Sequence, residues 1–446
     1  MSLNIIYIHS HDTGKYIQPY GHAIPTPNIQ RLAEEGVLFR KAFCANPTCS
    51  PSRASLLTGQ WAHSCGMGGL ANRGWSLPCP DHLIMHTLKQ AGYVTAMAGF
   101  QHVVKDVSTA GYTRILSQKK EKAGAEERAV EFLSETRNQP FFLDVGFGET
   151  HRRGARFDNQ PEGEEKTDPR YVKPPAPFLD TPETRQDMAE YIDAARTLDY
   201  KMGRVFEAID RNGLTDNTMI ICTTDHGLAF PNMKCHLTDH GIGVMLIVKG
   251  PKGFNGGKVV DGMVSQVDLF PTICELIDIE TPPWLQGTSI TPLIHGEKEI
   301  RQEIFAEVNY HCCYEPQRAV RTNRWKYIQR YDQATTLAMP NCDEGISKNY
   351  MIKHNWHQKR LESERLYDLV YDPDETNNLV HDNQHQEILE EMRHKLDLWR
   401  QETKDPLLEN PIMMPPEIAV LNDPNDLSPN DKQYPAWDVM GIKASS

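Results

Sequence analysis

The chain has 446 residues, 39% hydrophobic and 24% charged, which is enough for one large domain and a smaller one. Its net charge of -13 argues against a general nucleic-acid binder, since phosphate backbones need a basic face, and means that an anionic ligand would require a locally positive pocket. Ten cysteines are scattered without a C-x-x-C pair or zinc spacing, no stretch approaches the ~20 apolar residues of a membrane span, and no basic or long apolar leader follows Met1. The expectation is a reduced, cytoplasmic protein with no membrane partner.

In chain order, residues 4–8 are a continuous apolar run, the pattern of a strand buried on both faces, and they lead into His9-Ser10-His11-Asp12. Thr26-Pro27 predicts a helix start and Gly36 its end, and residues 37–43 read as extended. A helix is expected over 81–91 and a strand over 93–97 before Gly99-Phe100-Gln101-His102. A second helix over 125–137 precedes a buried strand over 140–147 that ends in Gly148-Glu149-Thr150-His151. Residues 152–177 read as a long surface loop, 181–212 as a long helix, and 218–223 as a strand ending in Thr224-Asp225-His226. A strand over 244–248 and a helix over 267–279 complete the alternation. It predicts an α/β fold whose mostly parallel sheet is sandwiched by helices and carries its ligand residues at strand C-terminal ends.

Residues 280–299, with Pro282-Pro283, mark the expected boundary. Beyond it, runs at 303–308, 319–330 and 365–371 predict strands and 384–403 a helix, hence a smaller C-terminal antiparallel sheet plus helix. The expected division is a catalytic domain over 1–295, a C-terminal α+β subdomain over 296–405 and an extended tail over 406–446.

The most informative stretch is Cys49-Ser50-Pro51-Ser52-Arg53, followed by Leu57-Thr58-Gly59. A cysteine and an arginine one turn apart at a helix start suit a nucleophile, because the free N–H groups there favour negative charge. The pattern C-x-P-S-R-x-x-x-L-T-G resembles the signature of the sulfatases, members of the alkaline-phosphatase-like superfamily. In that family the cysteine is converted to formylglycine (3-oxoalanine). Residues 265–272, Arg321 with residues 324–327, and residues 366–368 with 372–379 resemble sulfatase landmarks in the same order, so the likeness spans nearly the whole chain. Residues 43–59, 140–152 and 399–406 look most like the sulfamidase branch.

The resemblance implies hydrolysis of a sulfate ester or sulfamate on a sulfated sugar such as N-sulfoglucosamine. A formylglycine-generating enzyme would be a maturation partner; oligomeric state, homo-oligomer included, stays open. Cys49, Arg53, His102, His151 and Lys234 align with catalytic positions, His151 and Lys234 of them facing the sulfate, and His311, from the second domain, is a further candidate to reach the pocket and read the substrate. His11, Asp12, Cys49, Asp225 and His226 fall where the family holds a divalent metal, calcium, although two histidines would suit magnesium or manganese as well. Two departures stand out: His11 replaces an aspartate, and Phe100 replaces a lysine expected to touch nucleophile and sulfate. They keep two alternatives open, a phosphonate or phosphate mono- or diester hydrolase and a catalytically inactive protein that uses the fold for binding. Lys105, His11 and His236 are candidates to restore the missing charge.

Overall fold

A computed structural model describes residues 3–118, 124–157 and 165–442. The strands of its first part are β1 (Asn4–Ser10), β2 (Val37–Phe39), β3 (Ala42–Phe43), β4 (Val94–Gly99), β5 (Arg114–Gln118), β6 (Phe141–Gly146), β7 (Thr218–Thr224), β8 (Leu246–Lys249), β9 (Lys258–Val260) and β10 (Val264–Ser265). Eight of them form one sheet in the order β5-β4-β6-β1-β7-β8-β2-β9. It is parallel throughout except for β8, which runs against both β7 and β2. Every residue of β1 is buried, and its alternate side chains feed different cores. Ile5 and Tyr7 join one cluster with Leu57 and Phe270, whereas Ile6 and Ile8 join another with Leu198 and Phe206 of the helix Pro182–Arg211. This period of two is what lets an unbroken apolar run satisfy both faces.

Four neighbouring parallel strands, β4, β6, β1 and β7, end on the same edge, so the loops after them meet. Gly146 closes β6 where a Cβ would lie 1.9 Å from the Phe100 carbonyl and 2.6 Å from His9, so only glycine lets the loops after β4 and β6 approach this closely.

The second part is an antiparallel sheet of β11 (Ile304–Tyr310), β12 (Tyr314–Arg321), β13 (Trp325–Arg330) and β14 (Glu364–Asp368), covered by the helix Gln386–Glu402. Val320, Tyr327 and Leu366 of the sheet pack against Leu389, Met392 and Leu396 of the helix. Trp399 adds a ring stack on Phe305 at 5.1 Å.

Some expectations need correction. The run over 319–330 is two strands, because Thr322 accepts the Trp325 N–H at 2.9 Å and reverses the chain without glycine or proline. The helix expected over 81–91 splits at Leu83 into a 3-10 turn and Ile84–Gln90. The helix expected over 267–279 is Leu269–Leu276, entered through a 3-10 turn. The helix Ile346–Lys353 and the strand β5 were not expected. Of the long loop 152–177, residues 158–164 lie outside the described residues. The tail carries a hairpin of β15 (Val420–Asn422) and β16 (Gln433–Pro435), and Leu421 and Ala436 enter the main core.

Candidate active site

Cys49 is the first residue of the helix Cys49–Thr58, all ten residues of which are buried. Asn46 accepts hydrogen bonds from the Thr48 N–H at 3.0 Å and hydroxyl at 2.6 Å, which fixes the turn into the helix. Ser52 donates its hydroxyl to the Asp225 carbonyl at 2.5 Å and so ties the helix to the loop after β7. Burial pushes the Cys49 thiol well above its ordinary range, more than Lys234 and Arg53 pull it down. An unmodified thiol here stays protonated and is a weak nucleophile.

One turn on, Arg53 donates to the Ser10 carbonyl at 2.9 Å, to Asp225 Oδ2 at 2.9 Å and to His9 Nδ1 at 2.5 Å. Because His9 accepts at Nδ1, its proton sits on Nε2 and goes to Asp144 at 2.8 Å, whose other oxygen accepts the Tyr112 hydroxyl. Burial and the neighbouring guanidinium together lower the His9 imidazole below its ordinary range and keep it neutral. The Arg53 Nε is buried and has no hydrogen-bond partner.

The loops after β1 and β7 bring carboxylates and imidazoles together. Asp225 Oδ1 accepts the Asp12 N–H at 2.8 Å and the His226 N–H at 2.9 Å. Asp12 takes a left-handed φ of 57° to allow this, a conformation that is rare and unfavourable for a non-glycine residue. His11 Nδ1 lies 2.7 Å from Asp12 Oδ1 and 3.2 Å from Asp225 Oδ2. Burial lowers its imidazole to about 3, so it is a neutral ring. His226 donates Nδ1–H to the Gly227 carbonyl at 3.0 Å, which turns Nε2 toward Asp12 at 3.4 Å and Asp225 at 3.6 Å. That Nε2 is buried without a hydrogen-bond partner. Ligand atoms of His11, Asp12, Cys49 and Asp225 all fall within 4.8 Å of one another.

On the far side Lys234, 3% exposed, donates to Asp12 at 3.0 Å and to Asp343 at 2.7 Å. Burial alone would lower the lysine, but the two carboxylates hold it well above its ordinary range, so it is a permanent cation.

A sequence model of the sulfatase family matches residues 3–279, well over half of the chain. The chain belongs to the sulfatase family. It is thus an enzyme that hydrolyses sulfate esters or sulfamates. A second model, that of the N-sulphoglucosamine sulphohydrolase C-terminal region, matches residues 230–346. The human N-sulphoglucosamine sulphohydrolase is 28% identical over 86% of this chain and 87% of its own length. An ulvan-active sulfatase of Formosa agariphila is 25% identical over 89% of this chain and 74% of its own. Among solved structures, one described in complex with its substrate D-glucosamine-2-N,6-O-disulfate has a TM-score of 0.73, with 19% identity and coverage of 92% of this chain and 100% of that one. A 2-O GAG sulfatase has a TM-score of 0.69, with 21% identity and coverage of 94% and 96%.

In this sulfatase most of the residues singled out in the sequence meet at one edge of the sheet. A nitrogen of His102 lies within 4.8 Å of the Cys49 sulfur and of a nitrogen of His11, and His102 also takes a left-handed φ, 56°. His151 donates Nδ1–H to the Arg152 carbonyl at 2.6 Å and points Nε2 at Asp12, 3.9 Å away. His311 is 5% exposed, and burial and the nearby Lys234 lower its imidazole well below its ordinary range. Phe100 packs against the Arg53 guanidinium at 5.5 Å and against the rings of His11 and His102 at 5.3 and 5.1 Å. Of the candidates for the missing charge, Lys105 is exposed and lines an adjoining cavity. His236 is buried and neutral, lowered first by burial and then by Arg365 and Arg330.

Sequence reasoning missed Asp343, the second carboxylate on Lys234, which belongs to no motif and arrives from the second part of the chain. It also missed the chain Arg53–His9–Asp144–Tyr112, whose members are dispersed over four separate segments.

The donor set fits a divalent cation. Two ionised carboxylates and the neutral ring of His11 gather beside residue 49, and the partnerless Nε2 of His226 faces the same two carboxylates.

Proposed function

We propose that the sulfatase acts on a sulfated glucosamine, with the N-sulfo group of N-sulfoglucosamine as the reacting sulfate. The observation that carries this reading is the match of residues 230–346 to the N-sulphoglucosamine sulphohydrolase C-terminal model, because that stretch contains Lys234, His311 and Asp343, the groups that meet the substrate side of the pocket. The resemblance to the human N-sulphoglucosamine sulphohydrolase supports it.

Residue 49, once converted to formylglycine, would supply a hydrated aldehyde as the nucleophile toward sulfur, and His11, Asp12, Asp225 and His226 would hold a calcium ion, which when bound would lower the cost of negative charge there. Arg53, one helical turn from residue 49 and with an unused buried Nε–H, stabilises the negative charge on that residue, the rest of its guanidinium being fixed by His9, Ser10 and Asp225. Lys234 binds an oxygen of the sulfate. His151 gives a proton from Nε2 to the departing amine or hydroxyl. His102 takes the proton that must leave residue 49 when sulfate is released.

The test uses protein made with a formylglycine-generating enzyme, its conversion at residue 49 checked by intact mass. It is assayed on N-sulfoglucosamine, glucosamine 6-sulfate, an aryl sulfate and an aryl phosphonate. N-sulfoglucosamine should give the highest kcat/KM. Faster turnover of the phosphonate would replace this reading with the phosphonate hydrolase, and converted protein that turns over none of the four would support the binding protein. Exchange into chelator followed by calcium, magnesium or manganese should restore activity best with calcium.

A further inference from the structure

A cavity of about 840 Å3 opens beside the site where the chain leaves β4. Phe100 and His102 line it from one side, Arg73 and Trp75 from the segment after the nucleophile helix, and Ile418 and Val420 from the tail. Lys105 is its other cation, and no aspartate or glutamate is found among the described residues that line it, in a chain whose net charge is -13.

Arg73 is 6% exposed. One terminal nitrogen, NH2, donates to Cys312 Sγ at 3.1 Å and to Asn422 Oδ1 at 2.9 Å, while the other, NH1, is buried with no hydrogen-bond partner. None of the ion pairs among the described residues involves Arg73. Burying a guanidinium among neutral groups is unfavourable by several kcal/mol unless an anion compensates it. Asn422 and Cys312 hold one nitrogen in place but bring no charge. The Phe100 ring packs on His102 at this corner, and Lys105 is exposed, so Arg73 is the buried cation on this wall of the pocket.

We propose that Arg73 is a specificity-determining residue that binds a second anionic group, a sulfate or a carboxylate, carried by the same glycan next to the reacting sulfate. The enzyme then prefers a doubly charged sugar over a singly charged one. The tail hairpin takes part, because Asn422 fixes the Arg73 fork. This inference rests on the reading of the pocket as a sulfated-sugar site.

The test measures binding by calorimetry to full-length Cys49→Ala protein, which cannot turn over. The ligands are N-sulfoglucosamine, N-sulfoglucosamine 6-sulfate and a disaccharide of N-sulfoglucosamine with a uronate. At least one doubly charged ligand should bind about tenfold more tightly than the singly charged sugar, the size of a charge-assisted pair. Which of the two gains tells whether the group is a sulfate or a carboxylate. The advantage should shrink to within about twofold in Arg73→Gln with the singly charged sugar unaffected, persist in part in Arg73→Lys, and survive in full in Lys105→Ala. The proposal is overturned if the protein with Arg73 intact shows no advantage, if the advantage persists in Arg73→Gln, or if Lys105→Ala is the variant that removes it. A uniform loss for all three ligands in Arg73→Gln overturns it too, as the mark of a structural arginine. Should Arg73→Gln not fold, the intact protein, Arg73→Lys and Lys105→Ala decide. Binding of the singly charged sugar without an advantage defeats this inference alone, whereas binding of none of the three defeats the sulfated-sugar reading itself.

Discussion

Two arginines are among the largest fully buried side chains of the molecule, and their surroundings differ. Arg318, on β12, donates Nε and NH2 to the two oxygens of Asp405 at 2.8 and 2.9 Å and NH1 to Asn309 at 2.9 Å, so each of its nitrogens is used. Arg53 is held by three groups but leaves Nε without a partner. The first arrangement satisfies itself and joins the second sheet to the residues that follow its helix. The second is incomplete, and in the proposed mechanism what completes it is the charge that appears on residue 49 during the reaction. Buried charge that closes on itself marks structure, and buried charge with an open valence marks chemistry.

The sharpest way to break this contrast is to keep each charge and spoil its geometry. Arg53→Lys retains a cation beside Asp225 but loses the fork, and kcat should fall by about 10³-fold, the range seen when one preorganised donor is removed. A fall of less than tenfold in fully converted protein would deny Arg53 its role at residue 49. Arg318→Met leaves the buried Asp405 carboxylate with Arg400 alone, at 3.1 Å, as its cationic partner, and denaturant unfolding should show a loss of about 2 kcal/mol while kcat per folded molecule stays unchanged. If instead kcat drops and stability holds, the assignment of the two arginines is reversed.

Acid sharpens the same point with a smaller effect. Burial would raise the Asp405 carboxyl, but the Arg318 charge and its hydrogen bond hold it well below the usual carboxylate range. The unfolded chain, in which an aspartate titrates near about 4, therefore takes up this proton first. The stabilisation is complete above about pH 5 and drains away as pH falls below about 4. Melting temperatures of the intact protein should decline through that window, and those of Arg318→Met should decline less. Parallel curves for the two proteins would show that the pair does not set acid stability.

Much of the site was legible because the sheet that carries it is. Residues 4–8, 140–147 and 218–223 are unbroken apolar runs that end in ligand-type residues, and in a parallel sheet such ends share one edge. The nucleophile turn was legible from its dense motif. What escaped depends on long-range contact. Asp343 sits 109 positions from Lys234, in a turn with no periodicity to announce it. Arg73, between Asn72 and Gly74, belongs to no motif, and its setting depends on Asn422 of the tail packed against it. The β12–β13 reversal was missed because Thr322 makes the turn through its hydroxyl, and the left-handed backbone of Asp12 and His102 has no signature in residue type.

Asp343 offers the most delicate probe of the open-valence idea. It shares Lys234 with Asp12, so in the proposed mechanism an arriving sulfate competes with a carboxylate for the same ammonium group. Asp343→Asn removes a negative charge from the path of an anion while an amide oxygen of similar size still accepts from the lysine. Inorganic sulfate should then inhibit about two- to fivefold more strongly, in line with the loss of one like-charge repulsion in a partly screened pocket. A weaker inhibition by sulfate would mean that Asp343 positions Lys234 rather than competing for it. Unchanged sulfate inhibition with a raised KM for the sugar would mean that it accepts hydrogen bonds from sugar hydroxyls instead. The direction of this small shift tells whether Lys234 is held in reserve by Asp343 or aimed by it.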